Sequence, residues 1–146
     1  KVSYIFQDYQ LIPTLSVRDN ICFQAVLAQN QDPDFIEDIV RKLDLKDCLS
    51  KLPTQLSGGQ QQRVAIARAI AHKPQLILAD EPTGNLDSRN SNTAIELLLS
   101  AVEVAGSALI MVTHSDEMAN ALERTMILES GRLNDSREVI ALVNNV

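Results

Sequence analysis

Leu56-Ser57-Gly58-Gly59-Gln60 opens, and Leu76-Ile77-Leu78-Ala79-Asp80-Glu81 closes, the stretch that decides the fold. Ser57 and Gln60 have capping-box spacing, so a helix is expected from about Gly58 to about Ala71, stopping before Lys73-Pro74. The apolar run from Leu76 to Ala79 then reads as a buried strand that ends on two carboxylates. Two glycines at a helix start let a phosphate approach the backbone with no Cβ in the way. The free N–H groups and the helix dipole supply positive potential there. The Ser57 hydroxyl is a further donor to a phosphate oxygen. At the other end, a strand that finishes in Asp80-Glu81 puts acids at the carboxyl edge of a sheet, where α/β proteins bind ligands.

Outward from this stretch, helices and strands alternate. Val2 to Phe6 reads as a short strand followed by Gln7 and a polar stretch ending at Pro13. Ser16 caps a helix with Val17, Ile21, Ala25 and Ala28 on one face, and Asp32-Pro33 starts another bearing Ile36, Ile39, Val40 and Leu43. A further turn of helix is expected near Asp47 to Leu49. After Glu81 come a helix carrying Ala94, Leu97, Leu98 and Ala101, with Gly106 past its end, and a strand from Ala108 to Val112. A short helix over Glu117 to Leu122, a strand over Thr125 to Leu128 and a turn at Ser130-Gly131 follow. Val139, Ile140 and Val143 suggest a final helix. Strands apolar on both faces and alternating with helices imply a parallel sheet covered on both sides, with the helical stretch 14–55 inserted into it.

The chain has 146 residues, 45% of them hydrophobic, and a formal net charge of −6. That length fits one domain with a real core. The charge argues against a nucleic-acid partner bound through its phosphates. No apolar run approaches the ~20 residues of a membrane helix, and there is no signal peptide. The sequence opens at Lys1 rather than at a methionine, so a cytoplasmic domain lacking its N-terminal part is expected. Cys22 and Cys48 lack metal-ligand spacing and read as free, buried or half-buried thiols. His114 directly follows the strand ending Val112-Thr113, where it is either solvated or a donor to a phosphate. His72, at a helix end beside Lys73, is expected to interact with the helix dipole.

Taken in order, these runs resemble the motifs of ABC-transporter ATPases. Gln7 looks like the Q-loop glutamine, Leu56 to Gln60 like the signature, and Leu76 to Glu81 like Walker B. Gly84-Asn85-Leu86-Asp87 looks like the D-loop, and His114 like the switch histidine. The resemblance implies a P-loop NTPase-type α/β fold. Residues 1–13 would form the Q-loop strand and loop, 14–72 a helical subdomain with the signature helix, and 73–146 the remainder of the core.

It also implies a mechanism. Two such domains would form a head-to-tail homodimer around two ATP molecules. Ser57, Gly58, Gly59 and Gln60 of one would touch ATP held by the other. Asp80 would hold Mg²⁺, directly or through water, and Glu81 would orient or deprotonate the attacking water. Gln7 would sense both and relay their state to the helical subdomain, His114 would donate to the γ-phosphate, and Asp87 would link the two sites. An integral membrane permease would dock on the helical subdomain, placing the ATPase peripherally on the cytoplasmic face of the inner membrane. Pro82 to Asp87, Gln60 to Ala65 and Leu11 to Leu15 look like the bacterial subgroup that includes lipoprotein-releasing and macrolide-export ATPases.

The sequence departs from the family in one respect. Its glycines, at 58, 59, 84, 106 and 131, nowhere form a G-x-x-x-x-G-K-[ST] loop. The stretch by itself is therefore expected to bind ATP weakly, and a non-catalytic interaction module is the alternative reading. Chromosome-maintenance and DNA-repair ATPases share the signature but insert long coiled coils. Here only 48 residues, without sustained heptads, separate Gln7 from Leu56. In the family the phosphate-loop strand lies between the strand leading to His114 and the one at Thr125 to Leu128. Without it, either a gap or two apolar strands forced into non-family pairing is expected. At ~1–3 kcal/mol per unsatisfied buried group, the stretch is then expected to be marginally stable and prone to self-association, or folded only with a partner that supplies the missing strand.

Overall fold

A computed structural model describes residues 1–85, 88–129, 131–134 and 139–143, the side chains of 88–90, 134 and 139–143 excepted. Its centre is the helix that the capping box predicts, α3 (Gly58–Ile70). The N–H of Gln60 donates to Ser57 Oγ at 3.3 Å, and the N–H of Ser57 donates to Gln60 Oε1 at 3.0 Å. Residues 64–70 of α3 are all buried. Ile66 and Ile70 are fully so, and each contributes roughly 1.5–3 kcal/mol by leaving water. The helix ends because Lys73 turns left-handed, with φ 50°, ahead of Pro74.

Two helices lead into α3. In α1 (Val17–Leu27), Ser16 accepts from the N–H of Asp19. Val17, Ile21 and Ala25, four residues apart, have no exposed surface. Its buried Asn20 donates to the carbonyls of Ile12, Leu15 and Ser16 and accepts from the Ile12 N–H, which fixes the loop before the helix. In α2 (Pro33–Lys42), Asp32 caps the first turn and Pro33 occupies its first position, where a missing N–H costs nothing. Turns of 3-10 helix at Lys46–Cys48 and Pro53–Gln55 complete the connection. Cys48 is buried and Cys22 half-buried, both free thiols.

The sheet begins with three parallel strands, β1 (Val2–Ile5), β2 (Leu76–Asp80) and β3 (Ala108–Val112), in register Val2↔Leu76↔Ala108 through Ile5↔Ala79↔Met111. Helix α4 (Ser88–Ala105) connects β2 to β3 and ends at Gly106, which takes φ 63°. Ser3, Ile5, Ile77, Ala79, Leu109 and Met111 form the buried face. Five of them join Ile66, Ile70, Leu98 and Val102 from α3 and α4 in one core that also takes in α1 and α2. The opposite face corrects the expectation of a sheet covered on both sides. Val2 and Tyr4 are exposed there, and Leu78 and Ile110 are half-buried.

The sheet is mixed rather than wholly parallel. After α5 (Asp116–Asn120), capped by Ser115, β4 (Thr125–Glu129) turns through Gly131 into β5 (Arg132–Asn134), antiparallel to it. The helix expected around Val139 to Val143 is instead a strand, β6 (Val139–Val143). It lies between β3 and β4, antiparallel to both, giving the order β1-β2-β3-β6-β4-β5. The residue spacing fits either period. Five successive apolar residues, three of them β-branched, with strand backbone free on either side, favour the strand. The position expected to hold unpaired backbone is thus paired from Leu109↔Val143 to Val112↔Ile140 on one side and from Thr125↔Ala141 to Ile127↔Val139 on the other. The expected open gap is not there.

Candidate functional site

The carboxyl ends of β1, β2 and β3 gather Gln7, Asp80, Glu81 and His114. Asp80 closes β2 as an exposed residue opposite Val112. The Glu81 N–H donates to Val112 O at 2.9 Å, extending the β2–β3 ladder by one bond. The chain then breaks away sharply, because Glu81 takes φ 44°. A left-handed glutamate carries strain that must be held by its surroundings. One hold is direct: Glu81 Oε1 accepts from the His114 N–H at 2.9 Å and lies 3.7 Å from His114 Nε2. The His114 imidazole itself is 94% exposed, so its far edge is free to meet a ligand. Thr113 and Thr83 are buried beneath it against the sulfur of Met118.

Gln7 follows β1 and lies against the turn after Glu81. Asn85 Nδ2 donates to Gln7 O at 2.9 Å and to Asp8 Oδ1 at 3.3 Å. A Cβ on Gly84 would come within 2.9 Å of Gln7 Nε2, so glycine is what lets the glutamine amide lie there. Beyond Gln7 the backbone is left-handed at Tyr9 and Gln10, with φ 57° and 45°. Asp87 lies outside the described residues.

Ser57, Gly58, Gly59 and Gln60 stand apart from this group. Ser57 and Gly58 are exposed, and a Cβ on Gly59 would meet nothing within 4 Å. The Ser57 oxygen accepts from Gln60, which leaves its own proton for an outside acceptor. Among the described residues, no hydrogen bond or ion pair joins these four to Gln7, Glu81 or His114.

His72, expected to interact with the helix dipole, is buried just past the end of α3, and burial, reinforced by the Lys1 charges, pushes its pKa down. Gly84 and Asn85 of the D-loop stretch support the site, as do Gln62 and Arg68, which none of the five motifs includes. One signal was available: a lone charge in the otherwise apolar run Val64-Ala65-Ile66-Ala67-Arg68-Ala69-Ile70.

Among the described residues, no group of three or more histidines, cysteines and acids could hold a metal alone. Asp80 and Gln7 suit Mg²⁺ of the kind shared with phosphates and water, which needs only one or two protein oxygens. No helix among the described residues is long and apolar enough to cross a membrane.

The chain is similar to known proteins, with the individual relatives covering nearly all of it and the family model more than half. A family model described as ABC transporter matches residues 1–84. An uncharacterized ABC transporter ATP-binding protein of Mycobacterium tuberculosis is 44% identical over 136 residues, covering 91% of this chain and 55% of the relative. The lipoprotein-releasing system ATP-binding protein LolD 2 of Chlorobaculum tepidum is 40% identical over the same shares. The chain thus spans about half the length of the curated relatives it matches. Among solved structures, the dimeric bacterial ABC transporter cassette MJ0796 superposes with TM-score 0.76 at 34% identity, covering 94% of this chain and 63% of that one. A post-hydrolysis state of that cassette, bound to ADP and Pi, gives 0.77. Motif order, sheet-edge geometry and the family match agree: the chain belongs to the ABC transporter family, in its ATP-binding part.

Proposed function

We propose that the protein carrying this chain hydrolyses ATP as a head-to-tail dimer to drive export or lipoprotein release through a membrane permease, from the cytoplasmic face of the inner membrane. The observation that carries this reading is the division of the site. At the sheet edge Glu81 is bonded to His114, and Gln7 to Asn85 in the turn that follows Glu81, whereas Ser57 and Gly58 are exposed and the Ser57 hydroxyl proton is uncommitted. A composite site, half from each subunit, explains both.

Each residue then has a role fitted to its chemistry. Glu81 orients or deprotonates the attacking water, and its bond to the His114 N–H aims the carboxylate. The exposed His114 imidazole donates to the γ-phosphate. Asp80, with Gln7, holds Mg²⁺, which when bound neutralises charge on the β- and γ-phosphates. The Ser57 hydroxyl and the free N–H groups of Gly58 and Gly59 receive the partner's ATP at the start of α3, beside Gln60, whose own N–H closes the cap on Ser57 Oγ. Asp87 links the two sites, and the helical stretch 14–72 receives the permease. The 146 residues include no phosphate-binding loop, and taken alone they are expected to turn over ATP negligibly. As a non-catalytic module they would present only the signature.

Glu81→Gln tests the reading in the full-length protein. It should slow hydrolysis by roughly 10²–10⁴-fold while ATP still binds. Hydrolysis at the unmodified rate would remove Glu81 from the role of base.

A further inference from the structure

Two of the buried side chains on α3 are polar. Gln62 is 0% and Arg68 7% exposed. Both donate to backbone carbonyls outside the helix. Gln62 Nε2 donates to the carbonyl of Pro82, the residue after Glu81. Arg68 donates to Gln10 O at 2.6 Å and to Tyr9 O at 2.8 Å, in the loop that starts at Gln7. Among the described residues no carboxylate pairs with Arg68, and its Nε has no partner. Burial holds its pKa below the usual arginine value.

As a means of stabilising a helix, this arrangement is poor. A guanidinium taken out of water without a counter-charge is costly, and an apolar side chain would pack there better. What the planar fork achieves is geometric, since it fixes two successive carbonyls relative to the helix axis. Those carbonyls belong to Tyr9 and Gln10, the two left-handed residues of the loop. Such backbone persists only where its surroundings hold it.

We propose that Arg68 is a positioning residue for Gln7. Its clamp on Tyr9 and Gln10 fixes where the Gln7 amide lies against the turn after Glu81, and Gln62 holds that turn through Pro82. The helix that opens on Ser57 is thereby tied to both loops at the sheet edge, so a displacement of α3 carries Gln7 with it. The inference rests on the ATPase reading above and adds to it a residue outside the five motifs.

The test is a double-mutant cycle in the full-length protein, with Gln7→Ala, Arg68→Met and the pair, read as steady-state ATP hydrolysis. Arg68→Met should lower kcat by about 10- to 100-fold, with KM for ATP changed by no more than about twofold. The double variant should be no slower than the slower single variant, because both act through one amide. Arg68→Lys, which retains a cation with donors, should fall between. Multiplying losses, which a general structural role would give, would overturn the proposal. Amide exchange at Tyr9 to Leu11 decides the clamp itself, including where Arg68→Met does not fold. Arg68→Lys should speed exchange there more than within α3, and unchanged exchange would overturn the proposal. A Gln7→Ala protein hydrolysing normally would instead sink the role given to Gln7, leaving the clamp to be judged by exchange.

Discussion

The first turn of α3 and the sheet edge at Glu81 both carry motif residues, yet they are built in opposite ways. Ser57 and Gln60 close a capping box, and the first turn needs no left-handed residue. Its residues are preset by local chemistry and face solvent. At the sheet edge, Tyr9, Gln10 and Glu81 are left-handed without being glycine. Each is held by a bond from elsewhere in the chain, from Arg68 or His114. A surface that waits for a partner can be preset by local sequence alone. A site that must aim a carboxylate and an amide at one point needs long-range supports.

Ser57→Arg should give the largest effect and break the comparison if it fails. The substitution should cost about 1 kcal/mol of stability as a lost cap. Yet it should reduce hydrolysis at least about 100-fold, because a bulky cation blocks the face that receives the partner's ATP. The isolated chain should remain folded by circular dichroism while the assembled enzyme is dead. A severe loss of fold, or unimpaired hydrolysis, would contradict a preset outward-facing turn.

Gly84→Ala sharpens the other side. The Gly84 backbone is not left-handed, so alanine fits it, but the new Cβ would push the Gln7 amide aside. Hydrolysis should fall about 10-fold while the denaturation midpoint holds or rises slightly. A lowered midpoint with normal kcat would mean that the Gln7 contact is structural.

The smallest expected effect concerns His72. Its folded pKa lies below the unfolded value near 6.5, so the unfolded chain takes up the proton first as pH falls. Stability is therefore full above about pH 6.5 and declines as pH drops toward the folded pKa. Urea midpoints at pH 7.5 and pH 5 should show this decline, and His72→Leu should flatten part of it.

The sequence made α3 and β2 legible because their signals are local. A capping box and an apolar run ending in two acids admit few other backbones. It pointed to a helix where β6 lies, since Val139, Ile140 and Val143 satisfy a helical period as well as a strand, and the pairing that decides lies on β3 and β4. Gln7, Asp80, Glu81 and His114 were legible as candidates through motif resemblance, but the contacts among them were not. A left-handed tyrosine, glutamine or glutamate leaves no trace in composition. Arg68 on a helix ordinarily points to water, and only its place among buried neighbours betrayed it.

The central claim is that the two regions are halves of one composite site in different subunits. Sedimentation of the full-length protein with ATP and Mg²⁺ tests it most directly, comparing Glu81→Gln with Ser57→Arg. The account predicts that Glu81→Gln accumulates as an ATP-bound dimer, because nothing consumes the bridging nucleotide, and that Ser57→Arg stays monomeric at the same concentrations. Both variants monomeric, or both dimeric, would contradict it.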